Sequence, residues 1–194
     1  GRISDISGDT IVISDPNDPA LLRLAAAPIQ DLTEQSRYGL LPRIAPDGTR
    51  PMDAYPRPVR AQASGHRRQL AIVVGGLGIA EDGTDAAIAD LPGAVTLALA
   101  PYGDNLPRIL ARARAAGHEI ILQVPLEPYG YPNNNPGPHT LTLDASAEEN
   151  IDRLHWLMSR ITTYVGVTNY LGARFTSEET ALAPVIAEIG KRGL

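Results

Sequence analysis

Five polar residues of this chain stand where a sheet-based protein keeps its working groups. Gln123 and Glu127 flank the end of an apolar run in LQVPLEP, and Asn169, Tyr170 and Arg174 follow a second run in TNYLGARFT. If the two runs are neighbouring parallel strands, all five meet on one rim, because the chemistry of such sheets sits just past the carboxyl ends of the strands. Pairing of Glu127 with Arg174, merely to satisfy a buried loop, accounts for two of the five equally well. Between the two runs, Tyr129, Tyr131 and Asn133 to Asn135 mix aromatic and amide groups, as sugar-binding surfaces do. Turn-forming Asn and Pro explain that mixture too.

Other chemistries find little to work with. The four histidines, His66, His118, His139 and His155, lack H-x3-H and HExxH spacing, so each reads as a surface or partly packed residue rather than a metal ligand. No G-x-S-x-G elbow supports a serine nucleophile. The absence of cysteine removes thiolate nucleophiles, disulfides and cysteine-based zinc sites. Gly75-Gly76-Leu77-Gly78 invites a dinucleotide reading. However, Gly76-x-Gly78-x-x-Glu81 lacks the third glycine that lets helix and strand pack closely, so a tight turn is the better account.

A chain of 194 residues, 43% hydrophobic, has room for one domain with a real core. Its net charge of −5 and the lack of a Lys/Arg stripe argue against nucleic acid. The short basic cluster Arg60, His66, Arg67, Arg68 reads as a solvated linker. No apolar run reaches the roughly 18 residues that a membrane span needs. The sequence opens at Gly1 without an initiator methionine and with no visible signal peptide, so the start looks cut.

The elements that must position the rim begin at Gln69. Residues 1–68 read as an irregular, Pro-rich arm with one short strand, Thr10–Ile13, and a helical turn or two over Leu21–Ala27. Pro42, Pro46, Pro51, Pro56 and Pro58 exclude regular helix or central strand after that. From Gln69 the pattern strand, turn, helix repeats. Strands are predicted at Leu70–Val74, Val95–Ala100, Glu119–Val124 and Tyr164–Thr168. The first would be ended by Gly75 and Gly76. Asp82 or Thr84 is the expected cap of a helix to Asp90, and Asp104 of one that Gly117 ends. A long loop, Pro125 to Ala145, leads to a capping box at Ser146–Glu149 and a helix burying Ile151, Leu154, Leu157, Met158 and Ile161. A last helix starts at Ser177, kinked or delayed by Pro184 and capped by Gly193. Leu194 would then open a fifth strand, so residues 69–194 read as a β/α domain incomplete at its carboxyl end.

These residues resemble a known family. QLAIVVGGLGIA, LPGAVTLALAPYG, ARAAGHEIILQVPLEP, NNPGPHTL, YVGVTNYLGARFT and PVIAEIGKRGL together are similar to the divergent polysaccharide deacetylases, over about Gln69 to Leu194. The arm with LPRIAPDGTRPMDAY resembles the segment before this domain in a proteobacterial branch of that family. The resemblance implies an α/β, barrel-like fold related to glycan deacetylases and export to the bacterial envelope or periplasm. It also implies a site that has changed. Members with an active-looking site have an Asp-Asp pair after the first strand, where this chain has Gly75 and Gly76. They have a histidine where this chain has Gln123, and another in an N-N-H-x-G motif where it has Tyr170. A base and three metal ligands are therefore missing. Bound zinc lowers the pKa of its water from about 15.7 to about 7, which is on the order of 12 kcal/mol of activation.

The expected function is thus a polysaccharide-deacetylase-like domain in envelope carbohydrate metabolism, catalytically impaired, with a groove for a glycan or an envelope protein. Gln123, Glu127, Asn169, Tyr170 and Arg174 would line it, Tyr170 stacking on a sugar and Arg174 meeting Glu127 or an acidic substituent. No cofactor is expected in that case. One alternative is an active hydrolase that removes acetyl groups from a polysaccharide or peptidoglycan, with zinc and with Glu127 as base. Another is a structural envelope protein that binds through its arm.

Overall fold

The computed structural model describes Leu24, residues 27–58 and residues 70–194. The predicted strand Thr10–Ile13, most of the predicted turn over Leu21–Ala27 and the basic cluster Arg60, His66, Arg67, Arg68 lie outside the described residues.

Four strands form one parallel sheet in the order β3-β4-β5-β6, with β3 at Val73–Leu77, β4 at Thr96–Leu99, β5 at Ile120–Leu126 and β6 at Gly166–Leu171. Four helices alternate with them: α2 (Glu81–Asp90), α3 (Leu106–Ala115), α4 (Ala147–Met158) and α5 (Glu179–Lys191). This is the expected mixed α/β class. The sheet stays open, with β3 and β6 as its outer strands, and no closed barrel forms among the described residues.

The core lies on one face of the sheet. Leu97, Leu99, Ile120, Leu122, Val124 and Leu126 meet Ile109, Leu110, Leu154, Leu157, Met158 and Val185 there. Each such side chain taken from water is worth roughly 1.5–3 kcal/mol. In α3, Leu106, Ile109, Leu110 and Ala113 recur at helical spacing and are all buried. The expected capping box opens α4: Ser146 Oγ accepts from the Glu149 N–H at 3.1 Å, and Glu149 Oε2 accepts from the Ser146 N–H at 2.9 Å.

Several boundaries differ from the reading above, each for a local reason. Gly75 and Gly76 do not end the first strand; they lie inside β3, in an irregularity between Val74, which pairs with Leu97, and Leu77, which pairs with Leu99. Pro125 lies inside β5, opposite Tyr170. Its missing N–H is tolerated because β4 pairs with β5 only as far as Leu122. Beyond that, Leu141 takes the vacant side, donating to the Pro125 carbonyl and accepting from the Glu127 N–H. Neither Asp82 nor Thr84 caps α2, whose N-cap is Ala80; Thr84 Oγ1 instead accepts from the Gly78 N–H at 2.9 Å. The cap position of α3 is Asn105, not Asp104, and no side chain bonds there. Residues Phe175–Ser177 form a 3-10 turn and α5 follows from Glu179, with Pro184 inside it. The Leu194 N–H turns back to the Ile189 carbonyl at 3.3 Å and enters no strand.

The described part of the arm is more regular than its prolines suggest. Strand β1 (Thr33–Ser36) pairs antiparallel with β2 (Gly39–Pro42), and a one-turn helix, α1, covers Pro51–Ala54. Pro42 closes a strand with only one partner, and Pro51 takes the first helical position, the two places where a missing N–H costs nothing. The hairpin and α1 grip α4 and the end of α5. Arg37 pairs with Asp152, and the Tyr38 hydroxyl donates to the same carboxylate at 2.7 Å. Arg192 pairs with Glu34, and the Met52 N–H donates to the Gly193 carbonyl at 3.1 Å.

Glu188 is the hub of that grip, bonded to His155 Nε2 and Arg192 Nε, each at 2.7 Å. Burial pushes its carboxyl up, but the bonds from His155 and Arg192 outweigh burial and hold it below the usual value of 4.5. A depressed carboxylate stabilises the fold above the unfolded-state pKa, and that contribution is lost as pH falls through the folded-state value. Unfolding titrations are therefore expected to show stability falling below about pH 4.5, with Glu188→Gln flattening that acid limb and lowering stability at pH 7.

Candidate functional site

The carboxyl ends of all four strands contribute to one cleft. Gly76 and Ile79 come from β3 and the turn after it, and Ala100, Pro101 and Tyr102 from the turn after β4. Gln123 and Pro125 come from β5, Tyr170 from β6, and Pro136 from the loop of residues 127–146. The cleft encloses about 170 Å³. That is below the roughly 300 Å³ at which drug-sized pockets begin, so it suits a single ring. None of these nine lining residues is charged.

Gln123 is the polar centre of the floor. Its side chain is 8% exposed, and Oε1 accepts from the Gly76 N–H at 2.8 Å. Gly76 adopts φ +76°, a left-handed conformation natural to glycine and unfavourable for most side chains. A Cβ on Gly75 would stand 3.0 Å from Gln123 Nε2, so the amide fills the space beside that glycine. Tyr170 is 41% exposed at the edge of the cleft.

Of the five residues singled out in the sequence, the structure brings Gln123 and Tyr170 into the cleft. Glu127 and Arg174 pair with each other instead. The Glu127 side chain is 1% exposed, its second oxygen accepts from the Leu143 N–H at 2.6 Å, and its carboxylate thereby holds the loop of residues 127–146. Asn169 is the neighbour of Tyr170 on β6 and so faces the opposite way; its amide donates to the Leu171 carbonyl at 2.7 Å.

Tyr102 escaped notice in the sequence, although it stands in LALAPYG just past β4, the position that marked Gln123 and Tyr170 on the next two strands. Its hydroxyl donates to the Pro138 carbonyl at 2.5 Å, and burial pushes its phenol up to about 12. Behind it, His139 stacks on Trp156 with ring centroids 3.9 Å apart, and the Arg160 guanidinium lies over the Trp156 ring, 5.1 Å from its centroid. The wall is thus an aromatic stack that pins the loop to α4.

Burial, and secondarily Arg153, lowers the His139 imidazole, while Asp152 opposes them. A depressed histidine favours the fold above the unfolded-state pKa of about 6.5 and loses that contribution as pH falls through the folded-state value. Trp156 is the single tryptophan of the chain, so its fluorescence reports on the stack directly. We expect emission to change as pH falls below about 6.5, and His139→Phe to remove that change.

Comparison with known proteins decides the family. Residues 72–194 match the family model described as divergent polysaccharide deacetylase. This chain belongs to that family. The fold of the deacetylase-family domain also matches a crystal structure of an uncharacterized protein from Agrobacterium tumefaciens C58. The two are 55% identical, with a TM-score of 0.75 over 80% of this chain and 62% of that one. The chain therefore spans less than two thirds of that relative. No curated protein matches.

The donor set of this deacetylase-family rim does not fit zinc. Zinc takes imidazole, thiolate and carboxylate. Here Gly75 and Gly76 bring no side-chain donor, the Gln123 oxygen already accepts the Gly76 N–H, and Tyr170 offers a phenol. Among the described residues, no group of three or more His, Cys, Asp or Glu is placed to hold a metal ion. No helix among them is long and apolar enough to cross a membrane.

Proposed function

We propose that this deacetylase-family domain works in the bacterial envelope as a glycan-binding module with impaired hydrolysis. It holds one sugar ring in the cleft between Tyr170, Tyr102 and Gln123. The observation that carries the reading is the hydrogen bond from the Gly76 N–H to Gln123 Oε1. It occupies the floor of the cleft with a neutral clasp where the family resemblance implies a base and metal ligands, yet leaves two tyrosines and three prolines around an uncharged opening. Sugar rings present flat C–H faces that suit tyrosine, and their hydroxyls suit an amide.

The test is calorimetric titration with an N-acetylglucosamine tetramer and with soluble peptidoglycan fragments. Binding is expected, with Tyr170→Ala weakening it about tenfold through loss of the stacked ring. Acetate release assayed with added zinc is expected to stay at background. Stoichiometric zinc together with steady acetate release would reverse the reading in favour of an active hydrolase. Binding that survives Tyr170→Ala would move the ligand out of the cleft.

A further inference from the structure

We infer that Gln123 sets the charge selectivity of the cleft: its amide N–H₂ demands an acceptor oxygen on an uncharged ligand and turns away a cationic amine. This rests on the cleft being a binding site, as proposed above.

The orientation of an amide is fixed by its partners. A backbone N–H can only donate, so the group of Gln123 that meets Gly76 at 2.8 Å must be its oxygen. Nε2 is thereby turned to the other side. It donates to no described residue, and it is not among the fully buried atoms left without a partner, so it is presented to the cleft that Gln123 lines. Of the two phenols in the wall, that of Tyr102 is already committed, since its hydroxyl donates to the Pro138 carbonyl, and that of Tyr170 stands at the exposed edge. Glu127, one residue beyond β5, is buried and shared by Arg174 and the Leu143 N–H, so its carboxylate is not offered to the cleft.

A ligand entering the cleft therefore finds the Gln123 Nε2 donor on the floor, the Tyr170 hydroxyl at the exposed edge, largely apolar walls and no negative charge. A carbonyl or hydroxyl oxygen satisfies Nε2. An ammonium would be stripped of water with nothing to pair it, beside an N–H₂ that repels it, and burying an unpaired charge is far costlier than burying a neutral polar group. Gln123→Glu should invert this preference. A carboxylate can still accept the Gly76 N–H, so the clasp survives, while its other oxygen replaces the donor with an anionic acceptor.

The experiment titrates the N-acetylglucosamine tetramer and the fully deacetylated glucosamine tetramer, cationic near pH 6, into wild type and Gln123→Glu. Wild type is expected to favour the acetylated tetramer by about tenfold or more, and Gln123→Glu to favour the deacetylated one. Amide hydrogen exchange at Gly76 checks the clasp, with protection expected in wild type and Gln123→Glu and lost in Gln123→Met. Should Gln123→Glu not fold, Gln123→Met serves instead, with the discrimination expected to shrink to near unity. Equal binding of both tetramers by wild type, still weakened about tenfold by Tyr170→Ala, overturns the role of Gln123 and leaves the cleft reading standing. Wild type binding neither overturns both.

Discussion

Gly103→Ala is expected to cost about 3 kcal/mol or more, out of the roughly 5–15 kcal/mol that holds a domain together. A Cβ at position 103 would stand 1.8 Å from the Gly78 carbonyl oxygen, deep inside its van der Waals radius. The obstacle is backbone, fixed by its neighbours. The Gly78 N–H is held by Thr84 Oγ1 at 2.9 Å, and one residue earlier the Leu77 carbonyl accepts from the Ala100 N–H at 2.8 Å. No rotamer change relieves such a clash; the turn after β3 and the turn after β4 must part. Those two turns carry Ile79, Pro101 and Tyr102, so ligand binding should fall with stability. Thermal unfolding should show a midpoint lowered by about 10 °C. Gly83→Ala is the control. It lies in α2 with nothing within 4 Å of an added Cβ, and alanine there should add roughly 0.5–1 kcal/mol. If Gly103→Ala proved as harmless as Gly83→Ala, the two turns would not be touching as described.

The second large effect concerns the pair Glu127 and Arg174, whose members are unequally buried: the side chains are 1% and 43% exposed. Arg174→Ala leaves a buried carboxylate facing one backbone N–H, a loss of about 3–5 kcal/mol by the usual cost of an uncompensated buried charge. Glu127→Gln is expected to cost only about 1–2 kcal/mol. The amide oxygen still accepts the Leu143 N–H, and the abandoned guanidinium turns to water. Urea unfolding of both single variants and the double variant closes the cycle. The double is expected to be more stable than Arg174→Ala alone, because the stranded charge has gone. Equal losses in the two single variants would contradict the asymmetry in burial.

The strand–helix alternation from β3 to α5 was legible chiefly because β4 and β5 are short apolar runs and α3 and α4 bury side chains at helical spacing. What was hidden depends on partners distant in the chain. A proline normally ends a strand, and only the early end of β4 and the arrival of Leu141 allow β5 to continue through Pro125. Paired glycines normally end one too, and only the pairing of Leu77 with Leu99 reveals that β3 runs past them. Strand β1 reads TEQS, with no apolar alternation at all, so its pairing could not be seen locally. At the rim, the strand-end rule led to Gln123 and Tyr170, both of which line the cleft. For Glu127, one residue beyond β5, the sequence left a place on the rim and a pairing with Arg174 equally open, and the structure shows the pairing. That choice is made by the Leu143 N–H, sixteen residues away.

The grip of the β1–β2 hairpin on α4 and α5 has a consequence for how the molecule is made. Arg37 and Tyr38 wait for Asp152, 115 and 114 positions later, and Glu34 waits for Arg192, 158 positions later. On a ribosome that emits the chain from its amino end, the hairpin can close on itself at once but lacks its full docking surface until α4 and then α5 emerge. The hairpin therefore settles only after the two helices that follow it so much later in the chain, and through that interval Leu41, buried in the finished fold, stays open to holding factors or to a neighbouring nascent chain.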